Sequence, residues 1–303
     1  MKNDLVEKIM ALKAQRRAVI LAHNYQRPEV QDIADFTGDS LGLSQKAAQT
    51  KAEVIVFCGV NFMAETAKLI CPDRKVLVPD ENAGCPMANM VTVRELREMK
   101  ARHPDAVVIC YVNSTAAVKA ESDICCTSSN AVQVVASVPT DRKVLFIPDK
   151  SLGAWVASQL KRELIFWDGY CPSHHRILAE HIQQRKREHP NAKVVVHPEC
   201  TSDVIALADK AASTTGIAKY CRESEAKEFI IGTEIGLLHR LEKESPGKTF
   251  VAATPLADCP NMKLNTLEKI LWSLEDMLYE MVVPEQVATK ARRTIERMLE
   301  LSD

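Results

Sequence analysis

Ala18-Val-Ile-Leu-Ala-His-Asn-Tyr25 is an apolar run that ends in polar residues, and the chain writes it three times. The other copies are Ala106-Val-Val-Ile-Cys-Tyr-Val-Asn113 and Ala192-Lys-Val-Val-Val-His-Pro-Glu199. Short apolar runs of this kind read as strands buried on both faces. With His23, Tyr111 and His197 as zero points, Ser40, Ser128 and Thr214 stand seventeen residues on, each in a cluster of small residues. A second apolar strand ends 35 to 37 residues past each tip, at Gly59, Pro148 and Gly232. Helical sequence follows over 61–70, 152–160 and 235–244, then a third strand at 75–78, 163–167 and 249–253. Each copy then reaches Cys-Pro, at Cys85, Cys171 and Cys259, which lie 62, 60 and 62 residues past the tips.

Strands alternating with helices indicate βαβ units and parallel sheets covered on both faces. A repeated period of this length makes each copy one structural unit. The expected fold class is therefore α/β, with three similar three-layer αβα domains about a pseudo-threefold axis. The expected boundaries are 1–84 together with 261–303, then 86–170 and 172–258, with the active site at their common interface. The tail from Asn265 has helical periodicity (Leu267, Ile270, Leu271, Leu274) and is expected to pack on the first domain.

Composition narrows the function classes. The 303 residues are 46% hydrophobic and 26% charged, and 39 basic residues balance 40 acidic ones. That balance gives no electrostatic case for nucleic acid or an anionic membrane surface. Met1 to Arg17 lacks the apolar core of a signal peptide, and no apolar stretch is long enough to span a bilayer. The expectation is a cytoplasmic protein acting on small molecules. No Walker A loop or G-x-G-x-x-G fingerprint occurs.

Ten cysteines are the unusual entry in the composition, and none forms a Cys-x-x-Cys pair. In a reducing compartment they point to metal, catalysis or burial. Tested for phase against the repeat, only Cys85, Cys171 and Cys259 recur together. Three thiolates brought to one axis suit an iron–sulfur cluster, and three ligands leave one iron of a [4Fe–4S] cubane open as a Lewis acid. Zinc held by three thiolates and a water is a competing reading, as is a set of inert loop cysteines.

Ligands of α/β folds sit beyond the carboxyl ends of the parallel strands, where the tips lie. Positions zero and two of each tip share one side of a strand. They offer His23 with Tyr25, Tyr111 with Asn113, and His197 with Glu199. Ser40, Ser128 and Thr214 are expected at or near helix N-termini, suited either to capping or to binding carboxylate and phosphate.

On these residues the chain resembles the quinolinate synthase family. The resemblance rests on Leu21-Ala-His-Asn-Tyr25, Asp32-Ile-Ala-Asp35 through Gly38-Asp-Ser40, Cys85-Pro-Met-Ala88 and Tyr111-Val-Asn-Ser114. It continues through Cys171-Pro-x-His174, His197-Pro-Glu199, Gly232-Thr-Glu-Ile-Gly236 and Met262-Lys-x-Asn265. It implies that Cys85, Cys171 and Cys259 hold a [4Fe–4S] cluster with one open iron. It implies condensation of iminoaspartate with dihydroxyacetone phosphate on the route to NAD. It also implies a functional link to L-aspartate oxidase as the source of iminoaspartate. Catalysis would fall to Tyr25, Tyr111, His174, His197 and Glu199, and substrate binding to His23, Ser40, Asn113, Ser128 and Thr214. His174 enters by its Cys-Pro-x-His spacing, which sets the adjacent His175 aside. Some longer relatives carry a Cys-x-x-Cys-x-x-Cys run where this chain reads Asp258-Cys-Pro-Asn-Met262, so thiol regulation through that run is not expected. Rival functions are a hydro-lyase of the aconitase type, which needs one hydroxy acid, and a thiolate sensor without turnover.

Overall fold

The chain folds as eight elements written three times, in a computed structural model that describes residues 2–301. The first unit runs α1 (Lys2–Gln15), β1 (Ala18–His23), α2 (Pro28–Ile33), β2 (Phe36–Gly38), α3 (Ser40–Gln49), β3 (Val54–Cys58), α4 (Asn61–Ile70) and β4 (Lys75–Leu77). The second runs α5 (Val93–Arg102), β5 (Val107–Tyr111), α6 (Ala116–Ala120), β6 (Ile124–Cys126), α7 (Ala131–Ala136), β7 (Val144–Ile147), α8 (Lys150–Leu160) and β8 (Ile165–Phe166). The third runs α9 (Ala179–Glu188), β9 (Lys193–Val196), α10 (Ser202–Ala206), β10 (Lys210–Ala211), α11 (Thr214–Glu223), β11 (Glu228–Gly232), α12 (Leu237–Glu244) and β12 (Thr249–Ala252). A short 3-10 turn follows each Cys-Pro, and α13 (Leu267–Asp276) and α14 (Glu285–Glu300) close the chain.

The three sheets have one topology. Each is parallel, with orders β2-β1-β3-β4, β6-β5-β7-β8 and β10-β9-β11-β12. The two central strands of each sheet are the continuous apolar runs, and every residue of β3 and β7 is buried. Each unit has one strand more than the sequence analysis expects. The extra strands β2, β6 and β10 have only two or three residues at a sheet edge, too few to show a period.

An aspartate ties each edge strand to its neighbour. Asp35, Asp123 and Asp209 accept the backbone N–H of Ile20, Val108 and Val194, each at 2.8 Å, while their own N–H groups donate to the carbonyls of the same residues. These aspartates stand at one phase of the repeat, twelve residues past each tip. The largest apolar cluster runs through all three units, and two smaller ones cover outer faces of the first and third sheets. The tail divides: α13 packs on α1 and β3 of the first unit, while α14 lies against α6 and β6 of the second as well as α4 of the first. Among the described residues, no helix is long and apolar enough to cross a membrane.

Candidate active site

The carboxyl ends of the central strands point inward, and the three Cys-Pro loops close over them. The result is a cavity to which every unit contributes. All thirteen residues singled out from the sequence line it: ten from the tips, the +17 positions and His174, and the three in-phase cysteines. Val60, Phe62 and Met63, from the start of α4, add an apolar wall.

The hydroxyls at +17 are not the helix caps. Asp39 and Ser213, one residue earlier, cap α3 and α11 by accepting the N–H of Gly42 at 2.9 Å and Gly216 at 3.2 Å. Ser40 and Thr214 are thus released to face the cavity from the first turn of each helix. Ser128 lies in the turn just before α7, near its N-terminus rather than in its first turn. Its hydroxyl meets His197 Nε2 at 3.1 Å. The neighbouring Ser129 joins the cap residues of the other two units, donating to Asp39 Oδ2 at 2.8 Å and lying 2.9 Å from Ser213 Oγ.

Glu199 is the centre of the polar network. Tyr111 donates to Oε1 at 2.6 Å, and His174 Nδ1 meets Oε2 at 2.7 Å. Asn113 Nδ2 reaches Oε1 at 3.4 Å, leaving its own Oδ1 buried without a protein partner. Burial works against the Glu199 carboxylate, but the charge and hydrogen bond of His174 and the Tyr111 hydroxyl hold it well below the usual range. The same burial raises both tyrosines well above their ordinary value, and the nearby Glu199 charge adds to it. Burial lowers His23 to about 4 and His197 to about 3, so both imidazoles are neutral near pH 7. The site thus sets a stabilised Glu199 carboxylate beside the neutral imidazoles of His23 and His197 and two protonated tyrosines.

The three in-phase cysteines differ from the other seven in exposure. Cys85, Cys171 and Cys259 are part-exposed, whereas Cys58, Cys71, Cys110, Cys125, Cys126, Cys200 and Cys221 are buried. Each of the three also receives a backbone N–H from three residues on, from Ala88, His174 and Met262. Burial raises all three thiols, Cys85 to about 12, and these N–H groups oppose it. Part-exposed sulfurs on one cavity, each met by an amide, fit a thiolate-bound metal group, whose charge would favour the deprotonated sulfurs. His174 Nδ1 lies 3.1 Å from Cys171 Sγ, and ligand atoms of Cys171, His174 and Glu199 all lie within 4.8 Å of one another.

Phase analysis misses three members of the site. Thr233 bridges Tyr25 and His174. Glu234 is buried, lines the cavity and accepts the N–H groups of Cys259 and Gly236 at 3.1 and 2.7 Å. Burial raises Glu234 to about 6 although Lys263 stands 2.7 Å away. Lys263 also donates to the Tyr25 carbonyl at 2.5 Å, tying the Cys259 loop to the first tip. Thr233 and Glu234 lie in the quoted Gly232-Thr-Glu-Ile-Gly236 stretch, and Lys263 in Met262-Lys-x-Asn265, which was the available signal.

The family model described as "Quinolinate synthetase A protein" matches residues 7–300. The chain is similar to the quinolinate synthase of Methanosarcina barkeri, with 55% identity over 296 residues, 98% of this chain and 97% of that one. It is 56% identical over 297 residues to that of Geobacter metallireducens, again 98% and 97% of the two chains. To that of Dehalococcoides mccartyi (strain CBDB1) it is 56% identical over 292 residues, 96% of each chain.

Proposed function

We propose, from the premise that this chain belongs to the quinolinate synthetase A family, that it condenses iminoaspartate with dihydroxyacetone phosphate to quinolinate in the cavity between its three units. The family is one of enzymes acting in NAD biosynthesis. Atom balance requires one phosphate and two waters to leave as the pyridine ring closes. The observation that carries the reading is the joint lining of one cavity by tips, hydroxyls and three part-exposed thiols.

Cys85, Cys171 and Cys259 would hold a [4Fe–4S] cluster. Bound there, it would supply one open iron as a Lewis acid toward a carboxylate or hydroxyl oxygen. The protein's own groups account for the remainder. Ring closure needs protons removed beside an oxygen, and Glu199 is the acceptor-only group placed for that. Tyr111 and His174 hold its two oxygens, so its direction is fixed before substrate arrives. Tyr25 and His197 are the remaining acid–base candidates at the wall. Ser40 and Thr214, at the N-termini of α3 and α11, suit phosphate first and a carboxylate later. Asn113 Oδ1 is free to accept an N–H from the nitrogen-bearing substrate. His23 and Ser128 complete the substrate wall. Within this reading the units divide at 1–84 with 261–303, 86–170 and 172–258. The chain works in the cytoplasm, fed with iminoaspartate by L-aspartate oxidase.

The test is quinolinate formation by anaerobically reconstituted protein, with iminoaspartate generated in the tube and Cys171→Ala beside the wild type. Product that depends on Cys171 is expected. Absence of product from protein shown to contain four irons overturns the reading in favour of a sensor or a hydro-lyase.

A further inference from the structure

Asn24 stands between two cavity residues, His23 and Tyr25, yet is itself absent from the cavity lining. It is fully buried, and its side chain joins the first unit to the third. Arg240 on α12 donates to Asn24 Oδ1 at 2.8 Å, and Asn24 Nδ2 donates to Thr214 Oγ1 at 2.7 Å. The backbone is held as well. The Asn24 N–H donates to the Gly38 carbonyl at 3.0 Å, and the Asn24 carbonyl accepts Gln31 Nε2 at 3.2 Å. Glu244 steadies the guanidinium, accepting Arg240 Nε at 2.6 Å.

A guanidinium only donates, so Arg240 fixes which end of the Asn24 carboxamide faces it. Oδ1 is committed to Arg240, and the NH2 group is left for Thr214. The Thr214 oxygen therefore accepts, and its own proton is left for an acceptor in the cavity, which Thr214 faces from the first turn of α11. Ser128 is set in the same sense by a different device. His197 Nδ1 accepts the Glu199 N–H at 3.2 Å, so in the neutral ring Nε2 carries the proton and donates to Ser128. The link through Asn24 is built once. At its phase the other units carry Val112 and Pro198, and neither side chain hydrogen-bonds.

We propose that Asn24 and Arg240 are positioning residues for substrate binding, through which the Thr214 hydroxyl meets the anionic group of the substrate as a donor. This rests on the quinolinate-forming reading above, in which Thr214 holds phosphate or carboxylate. A carboxamide free to turn over would take the Thr214 proton on Oδ1. The cavity would then be offered only the lone pairs of the hydroxyl, which an anion repels.

The experiment uses Asn24→Asp, which keeps the shape and the Arg240 contact but leaves only an acceptor facing Thr214. Quinolinate binding to the reconstituted protein is measured by titration calorimetry. KM and kcat for quinolinate formation, cluster absorbance and melting temperature are recorded beside it. The Kd for quinolinate and the KM of at least one substrate should rise about 10- to 100-fold, the range for losing a hydrogen bond to an anion, with a much smaller change in kcat. In a Thr214→Val background the same step should cost far less, because no hydroxyl remains to be reversed. Wild-type Kd and KM values in Asn24→Asp overturn the proposal. So does an equal loss in the Thr214→Val background, which would assign the effect to the added charge. If Asn24→Asp does not fold or hold the cluster, Arg240→Met decides. Freeing the carboxamide should weaken quinolinate binding about 2- to 10-fold, the range for one ordinary hydrogen bond, and unaltered binding overturns the proposal. Wild-type protein that makes no quinolinate overturns the parent reading, and this one with it.

Discussion

Glu199 gathers hydroxyl, imidazole and amide donors from residues that lie far apart in sequence. Glu199→Gln keeps the shape and removes the charge. Turnover should fall by about 10²- to 10⁴-fold, the usual contribution of a positioned proton acceptor, with the cluster absorbance unchanged. Loss of that absorbance would make Glu199 a structural residue instead. His23 gives a second test at this scale. Burial holds it at about 4 in the folded chain against 6.5 when exposed, so between those values the unfolded chain binds more protons. Stability from this group is complete above pH 6.5 and declines as pH falls toward 4. The loss should be on the order of 2 kcal/mol by pH 5. Denaturant midpoints at pH 7 and pH 5 should therefore separate less in His23→Gln than in wild type; equal separations would refute the assignment. The residues legible in the sequence were those that recur at one phase of the repeat, with His174 added by its Cys-Pro-x-His spacing. Thr233 and Lys263 escaped because each owes its place to a contact with a distant segment, and their repeat counterparts carry different chemistry.

Each unit builds its edge with the same device, an aspartate that accepts one strand N–H and sits at one phase of the repeat. Asp123→Ala leaves the Val108 N–H without its acceptor and should cost about 1–3 kcal/mol in urea denaturation. The kcat should be unchanged, because Asp123 stands at the entry of β6, away from the cavity lining. A drop in kcat without loss of stability would contradict this account. The aspartates recur at one phase of the sequence, but the repeat pattern was not read at that position, and a recurrence alone does not separate a structural group from a catalytic one. Geometry does, as it also moves capping from Ser40 and Thr214 to Asp39 and Ser213. The third feature of this scale, the path of α14, was not legible. Amphipathic spacing says that one face of a helix is buried; it does not name the surface that buries it.

The units are joined by a continuous apolar cluster and by α14, whose Ile295 is fully buried within that cluster. Ile295→Ala should cost about 2–5 kcal/mol, measured as a lower urea midpoint. Retention of the wild-type midpoint would show α14 to be a loose appendage. Stripping iron from the reconstituted protein should abolish turnover and leave far-UV circular dichroism unaltered, because the apolar clusters and seven buried cysteines need no metal. At this scale the sequence was most informative, since three sheets of one topology follow from three copies of one pattern. The cavity itself has a less obvious consequence. In a trimer of three identical chains, any change at a tip would appear on all three walls at once. Joined end to end, the copies are free to diverge, and one wall carries His23 with Tyr25, another Tyr111 with Asn113, the third His197 with Glu199. Covalent linkage is what lets a threefold scaffold present three chemically unlike walls to one cavity.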